Sequence, residues 1–170
     1  FAKVFAKHGH YHQEELIDLA MPYVKDRRLA FDVGAHVGYM TRKMLEYFDR
    51  VIAWEPQWEN YQCLIENIPP DRGSSRLLAL GDECCFMAIK NPTPGNSGAW
   101  EVKAGGSAIY VSTLDHWVAL DGALPGLVKI DVQGSEGAVL RGGEELFRHT
   151  KPVIIIEANA NDGVSALLED

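Results

Sequence analysis

The stretch Leu29-Ala-Phe-Asp-Val-Gly-Ala-His-Val-Gly-Tyr39 constrains the fold of this chain more than any other. An apolar run ends in Asp32, Gly34 and Gly38 bracket a tight loop, and a helical pattern comes next. This is the signature of a strand, a ligand loop and the first crossover helix of an α/β domain. Glycine suits such a loop because the backbone must turn sharply and lie close to a ligand, which a Cβ would obstruct. The helix N-terminus aimed at the loop favours a polar or anionic group there. A dinucleotide fingerprint would carry glycine at the third and sixth positions, where this chain has His36 and Tyr39. The simpler alternative is that the two glycines only close a strand–helix turn.

The residues beyond the loop favour a ligand. Arg50–Trp54 reads as a second strand ending in Glu55-Pro56, 23 positions after Asp32, the separation expected of an acid that binds both hydroxyls of a ribose. A carboxylate suits that task because it accepts two hydrogen bonds at once. Arg76–Leu80 reads as the third strand, followed by Gly81-Asp82. Leu127–Val132 reads as the fourth, and Pro152–Glu157 as the fifth. Continuous apolar runs of this kind suit a parallel sheet covered on both faces. Asp32, Glu55, Asp82, Asp131 and Glu157 are thereby expected at one edge, the carboxyl edge where open α/β sheets bind ligands. For Asp82 two readings stand side by side, an adenine contact and a solvent-facing turn residue.

Helices are expected over Glu14–Val24 with Pro22 disturbing the last turn, over Tyr39–Phe48, from Trp58 to Ile68, from Thr113 as a cap, and from Glu136 to His149. The buried stripes are expected to include Leu16, Ile17, Leu19, Ala20 and Tyr23 in the first, and Tyr61, Leu64, Ile65 and Ile68 in the third. Cys85–Lys90 and Ala108–Ser112 read as strands of a β-rich insertion between the third and fourth core strands, joined by a loop containing Asn91–Gly98 over the pocket. The fold class is therefore a doubly wound, mostly parallel α/β sheet. The 170 residues form one domain, with 1–28 an entry segment and N-terminal helix and 29–158 the core.

Composition limits the partners. Hydrophobic content of 46% with 24% charged residues is that of a globular protein, and no apolar run approaches the ~18 residues of a membrane span. A net charge of -8 argues against a nucleic-acid substrate. Cys63, Cys84 and Cys85 form no C-x-x-C pair, which fits reduced thiols in a cytoplasm. His8, His10 and His12 alternate and would share one face of a strand. They are either a metal-binding set or a polar entry loop.

Lys129 and Asp131 lie two apart and share a strand face, so a buried Lys129 needs a salt bridge or a catalytic role. Asp131 is the preferred general base. The alternative is that it only pairs with Lys129. Glu136, Glu157 and His116 are the other acid–base candidates. A divalent cation on Asp131, Glu157 and Asn159 is a further expectation, since hard cations take oxygen ligands.

Phe31–Thr41, Trp54-Glu-Pro56, Gly81-Asp82, Asn96–Gly98, Ser112–Asp115 and Lys129-Ile-Asp-Val-Gln-Gly-Ser-Glu136, with Gly142-Gly143 and Pro152–Glu157, resemble in order the blocks of FkbM-type methyltransferases. The resemblance covers Phe31 to Glu157. It implies a Rossmann-like, class I fold and S-adenosylmethionine (SAM) dependent methylation of a hydroxyl on a sugar, glycolipid or small metabolite. It also implies that Asp32, Gly34, Ala35 and Gly38, with the neighbouring His36, Tyr39 and Thr41, hold the methionine part. Glu55, beside Pro56, would take the ribose, Asp82, beside Gly81, the adenine, and Asp131, at a strand end between cofactor and acceptor, would also touch the cofactor. The chain departs from the pattern at Gln133, where the family usually has Glu, and shows no closing antiparallel hairpin after Asn159. A methyltransferase-like binding module without catalysis and a dinucleotide oxidoreductase are the alternatives.

Overall fold

The computed structural model describes residues 4–6, 13–90, 101–102 and 107–157. In chain order these form β1 (Val4–Ala6), α1 (Gln13–Ala20), β2 (Leu29–Val33), α2 (Tyr39–Met44), β3 (Arg50–Trp54), α3 (Trp58–Asn67) and β4 (Gly73–Arg76). Then come β5 (Ala79–Leu80), β6 (Cys85–Lys90), β7 (Glu101–Val102), β8 (Ser107–Ser112), α4 (Leu114–Asp121), β9 (Leu127–Ile130), α5 (Glu136–Arg141), α6 (Glu144–Thr150) and β10 (Val153–Ile156).

Six strands make a sheet of order β1-β10-β9-β2-β3-β4 in which every pairing is parallel. Strands β2, β9 and β10 are buried along their whole length, as a parallel sheet packed on both faces requires. One face packs Leu127 and Ile155 against Ile17, Met44 and Phe48 of the α1–α2 side. The other packs Phe31, Trp54, Ile130 and Ile156 against Leu114, Val139 and Leu146 of the α4–α6 side. From β2 the chain moves outward through β3 and β4, then returns to β9 on the opposite side of β2. The strand order therefore reverses between β2 and β9, and a doubly wound sheet opens its ligand crevice at such a point.

Several expectations change. The third core strand is Gly73–Arg76. The chain then bends at Leu77-Leu78, and Ala79-Leu80 joins β8 in a second sheet of order β5-β8-β6-β7. Asp82 consequently does not end a strand of the main sheet. The serine and glycine content of β4, an edge strand, hides it from a search for apolar runs. The helix expected over Glu136–His149 is two helices, broken at Gly142-Gly143. A Cβ on Gly142 would lie 1.9 Å from the Gly81 carbonyl oxygen, so this turn packs backbone to backbone. The Asp115 carboxylate then accepts from Glu145 N at 3.1 Å and Leu146 N at 2.9 Å, which starts α6.

At Pro22 the first helix tightens into a 3-10 turn over Met21–Tyr23, and Leu19 and Tyr23 are exposed, as is Ile65 on α3. Strand β1, in a stretch read as an entry loop, covers β10 and extends the sheet on that side. His8, His10, His12, the Asn91–Gly98 loop and Asn159 lie outside the described residues. Among the described residues no helix is long and apolar enough to cross a membrane.

Candidate active site

Two loops meet above the reversal point. The first succeeds β2 and contains Gly34 to Gly38, with left-handed backbone at Gly34 (φ 77°), His36 (φ 52°) and Gly38 (φ 88°). The second succeeds β9 and is left-handed at Gln133 (φ 53°) and Gly134 (φ 98°). They touch so closely that a Cβ on Gly34 would stand 1.9 Å from the Asp131 carbonyl oxygen. Glycine at 34 is therefore demanded twice, by the turn and by the neighbouring loop.

Beneath that contact lies Lys129, paired in register with Asp32. Its Nζ donates to Asp32 Oδ1 at 3.0 Å and to the Gly34 carbonyl at 2.9 Å, and stands 3.9 Å from Asp131 Oδ2. Asp32 is wholly buried, and its other oxygen accepts from Thr41 Oγ1 at 2.6 Å. Burial by itself pushes the Lys129 ammonium down. The charges of Asp32, Asp131 and Glu55 together with the bond to Asp32 outweigh it and leave the group above the ordinary lysine value. The principal partner of Lys129 is thus Asp32, across the strand pair, rather than Asp131, its neighbour along the strand.

The glycine loop is held on its other flank by Glu55, just past the end of β3. Its Oε2 accepts from His36 N at 2.9 Å and its Oε1 from Gln57 N at 3.0 Å, with Asn60 Nδ2 at 3.5 Å. Burial raises the Glu55 carboxyl above the usual glutamate value, against the lowering effect of these bonds and of Lys129. Pro56 separates Glu55 from Gln57, the cap of α3, whose side chain accepts from Asn60 N. Gly34 N and Ala35 N both donate to Trp54 O, and Asn67 Nδ2 donates to Val37 O at 2.8 Å. Gln57, Asn60 and Asn67 are not evident as site residues in the sequence. Their only signal is a run of amide side chains around the start and end of α3.

The second loop is pinned by Glu136, at 1% exposure. Its carboxylate accepts from Val132 N at 3.1 Å and Gly134 N at 2.9 Å. Gln133 Nε2 donates to Asp131 Oδ1 at 2.9 Å. A shallow cleft beside this loop is lined by Leu16, Met40, Lys129, Asp131, Ile155 and Glu157 among others. The structure therefore brings Asp32, Gly34, Thr41, Lys129 and Asp131 together, with Glu55 on one flank and Glu157 on the other. Other candidates have different surroundings. Tyr39 is exposed, its phenol raised by a hydrogen bond to Glu14. Asp82, after the buried Gly81, takes both Nε and Nη2 of Arg141 on Oδ2, at 3.1 and 2.8 Å. His116 lies on α4 with its ring edge-on to Trp117 and does not line the cleft. Among the described residues no group of three His, Cys, Asp or Glu side chains is arranged to hold a metal ion, so the expected cation has no support.

A family model described as the methyltransferase FkbM domain matches residues 32–166. No curated protein matches the chain. Among solved structures, an FkbM methyltransferase from Methylobacillus flagellatus KT superposes with a TM-score of 0.60 at 19% identity, covering 85% of this chain and 37% of that one. A precorrin-6y C5,15-methyltransferase from Geobacter metallireducens GS-15 superposes with a TM-score of 0.51 at 15% identity, covering 91% of this chain and 68% of that one. At these identities the two structures speak for the fold, and the chain spans little more than a third of the first. The family match covers most of the sequence, and by it this chain belongs to the FkbM methyltransferase domain family.

Proposed function

We propose that this chain is a SAM-dependent methyltransferase domain that methylates a hydroxyl group of a sugar, glycolipid or small metabolite. The observation that carries the reading is the pairing of the glycine loop with the Glu55 carboxylate one strand away. Glu55 is fastened by backbone N–H groups yet keeps acceptor capacity, since a carboxylate has about four lone-pair sites. That acceptor chemistry fits the two hydroxyls of a ribose. Gly34, Ala35 and Gly38 form the loop beside it, and Asp82 is the acid offered for the adenine.

Asp32 fits a direct contact poorly, because Lys129 and Thr41 occupy its two oxygens and it has no exposed surface. We assign it to shaping the loop, together with Lys129 and Thr41. Glu136 is assigned to shaping the second loop for the same reason. When bound, SAM supplies an electrophilic methyl group. The chain must orient the acceptor hydroxyl and receive its proton. Asp131 and Glu157, the two carboxylates that line the cleft, are the groups suited to those tasks.

Calorimetry with SAM and S-adenosylhomocysteine, then transfer of tritiated methyl from SAM to a panel of hydroxylated glycosides and lipids, tests the proposal. Micromolar binding, about -8 kcal/mol, with label in a hydroxyl-bearing acceptor is expected. Absence of heat from a folded sample would overturn the cofactor assignment. Label confined to amine or carbon positions would overturn the acceptor class.

A further inference from the structure

Helix α1 reaches the cleft through one residue. Leu16 is 6% exposed and lines it together with Met40 and Ile155, whereas Leu19 on the same helix is 50% exposed. A polar clasp sets the position of Leu16. Glu14 and Asp18, four apart on α1, face Tyr39 and Lys43 of α2 and Tyr47 just beyond it, which repeat at the same spacing. The Tyr39 phenol donates to Glu14. Asp18 Oδ1 accepts from Tyr47 Oη at 2.6 Å and stands 3.1 Å from Lys43 Nζ, which also lies over the Tyr47 ring at 5.1 Å. Ile17 and Ala20, wholly buried, anchor the helix in the core.

We infer that Leu16 is a specificity-determining residue of the acceptor cleft, and that it selects an acceptor whose hydroxyl-bearing carbon has hydrocarbon neighbours, an aliphatic alcohol rather than a polyol. The inference rests on the methyl-transfer reading given above. The cleft is shallow, so it receives a hydroxyl and its adjoining carbons rather than a whole acceptor. Its polar side chains are Lys129, Asp131 and Glu157, and Lys129 is committed to Asp32 and the Gly34 carbonyl. Further hydroxyls beside the reacting one would lie against Leu16, Met40 and Ile155. Those side chains offer at most the weak thioether acceptor of Met40, and a hydroxyl taken from water without a partner is costly. Methylene groups in the same place withdraw apolar surface from water, which is favourable.

The test compares two alcohols of equal carbon number, 1-hexanol and D-glucitol, on the whole chain saturated with S-adenosylhomocysteine. Saturation-transfer NMR titrations read their binding without turnover. Wild type is expected to bind 1-hexanol at least fivefold more tightly than D-glucitol. Leu16→Asn should remove that preference, and Leu16→Phe, which fills the cleft, should weaken 1-hexanol at least fivefold. Leu19→Asn, on the exposed side of the helix, should leave both alcohols within twofold. In methyl transfer, kcat/KM for acceptors with alkyl neighbours should exceed that for free sugars. Leu16→Asn should shrink that ratio at least tenfold while affinity for S-adenosylhomocysteine stays within twofold. If neither Leu16 variant folds, the Leu16 methyl resonances of wild type decide. Their shift on addition of 1-hexanol supports the inference, and a response confined to other methyl groups overturns it. No preference in wild type, a preference unchanged in both Leu16 variants, or one lost in Leu19→Asn would also overturn it. Absence of label in every acceptor would remove the methyl-transfer reading itself, whereas label on free sugars alone would remove this inference only.

Discussion

Lys129 Nζ and Asp32 Oδ1 lie 3.0 Å apart between two central strands, with side-chain exposures of 5% and 0%. A buried pair of this kind is poor evidence of net stabilisation, but removing one partner leaves an uncompensated charge. Lys129→Met is expected to destabilise by about 3–5 kcal/mol. The double variant Lys129→Met/Asp32→Asn should recover much of that stability, read by urea unfolding, while cofactor affinity stays low because the Gly34 carbonyl has lost its donor. The raised Lys129 ammonium also fixes a pH window. Its contribution is complete below the ordinary lysine value and is lost only as pH rises through the higher folded value. A double variant that binds S-adenosylhomocysteine like wild type would show that the pair has no part in loop placement.

Two glycines with positive φ separate steric from conformational demand. Gly34→Ala places a Cβ 1.9 Å from a backbone oxygen, whereas Gly134→Ala, at φ 98°, meets nothing within 4 Å. The second should cost only the left-handed backbone penalty, about 1–2 kcal/mol. The first should cost more, because one of the two loops must move, and should abolish cofactor binding. Thermal melts rank the two, and equal shifts in Tm would contradict the close approach.

Glu55 carries a pH prediction. Burial raises its folded carboxyl value, so protonation of this group favours the folded state, and that share of stability declines as pH rises through the raised value. The proposed ribose contact has the opposite requirement, because the carboxylate is the better acceptor. Affinity for S-adenosylhomocysteine should therefore begin to fall on acidification at a pH above the ordinary glutamate range. In Glu55→Gln that acidic limb should disappear, with an overall loss of about 2–3 kcal/mol at neutral pH. An unchanged titration in the variant would assign the limb to another group.

Glu136→Ala should act on stability before chemistry. The substitution removes the charged acceptor of Val132 N and Gly134 N, two part-buried hydrogen bonds worth about 1.5–3 kcal/mol each at most. For a chain of this size each kcal/mol corresponds to about 2–4 °C in Tm. A variant with wild-type Tm and lost methyl transfer would instead restore Glu136 as a catalytic candidate.

Much of the fold is local chemistry and could be read along the chain. The glycine spacing, the unbroken apolar runs of β2, β3, β9 and β10, and the acids after them determine a parallel sheet with its ligand edge at their carboxyl ends. Thr113 and Pro22 mark helix boundaries because capping and ring geometry act within a few residues. The family resemblance was legible for the same reason, since its blocks are these short strand–turn units. What a residue's partner is depends on strands far apart in sequence, and only the tertiary structure decided it. Lys129 pairs with Asp32, 97 positions away, because β2 and β9 are neighbours in register. Glu136, which reads as a catalytic acid, turns inward because the left-handed turn at Gln133-Gly134 exposes N–H groups that need an acceptor. Asp82 follows a strand of the second sheet because the chain bends at Leu77-Leu78, where Ala79 and Leu80 find a partner strand in β8.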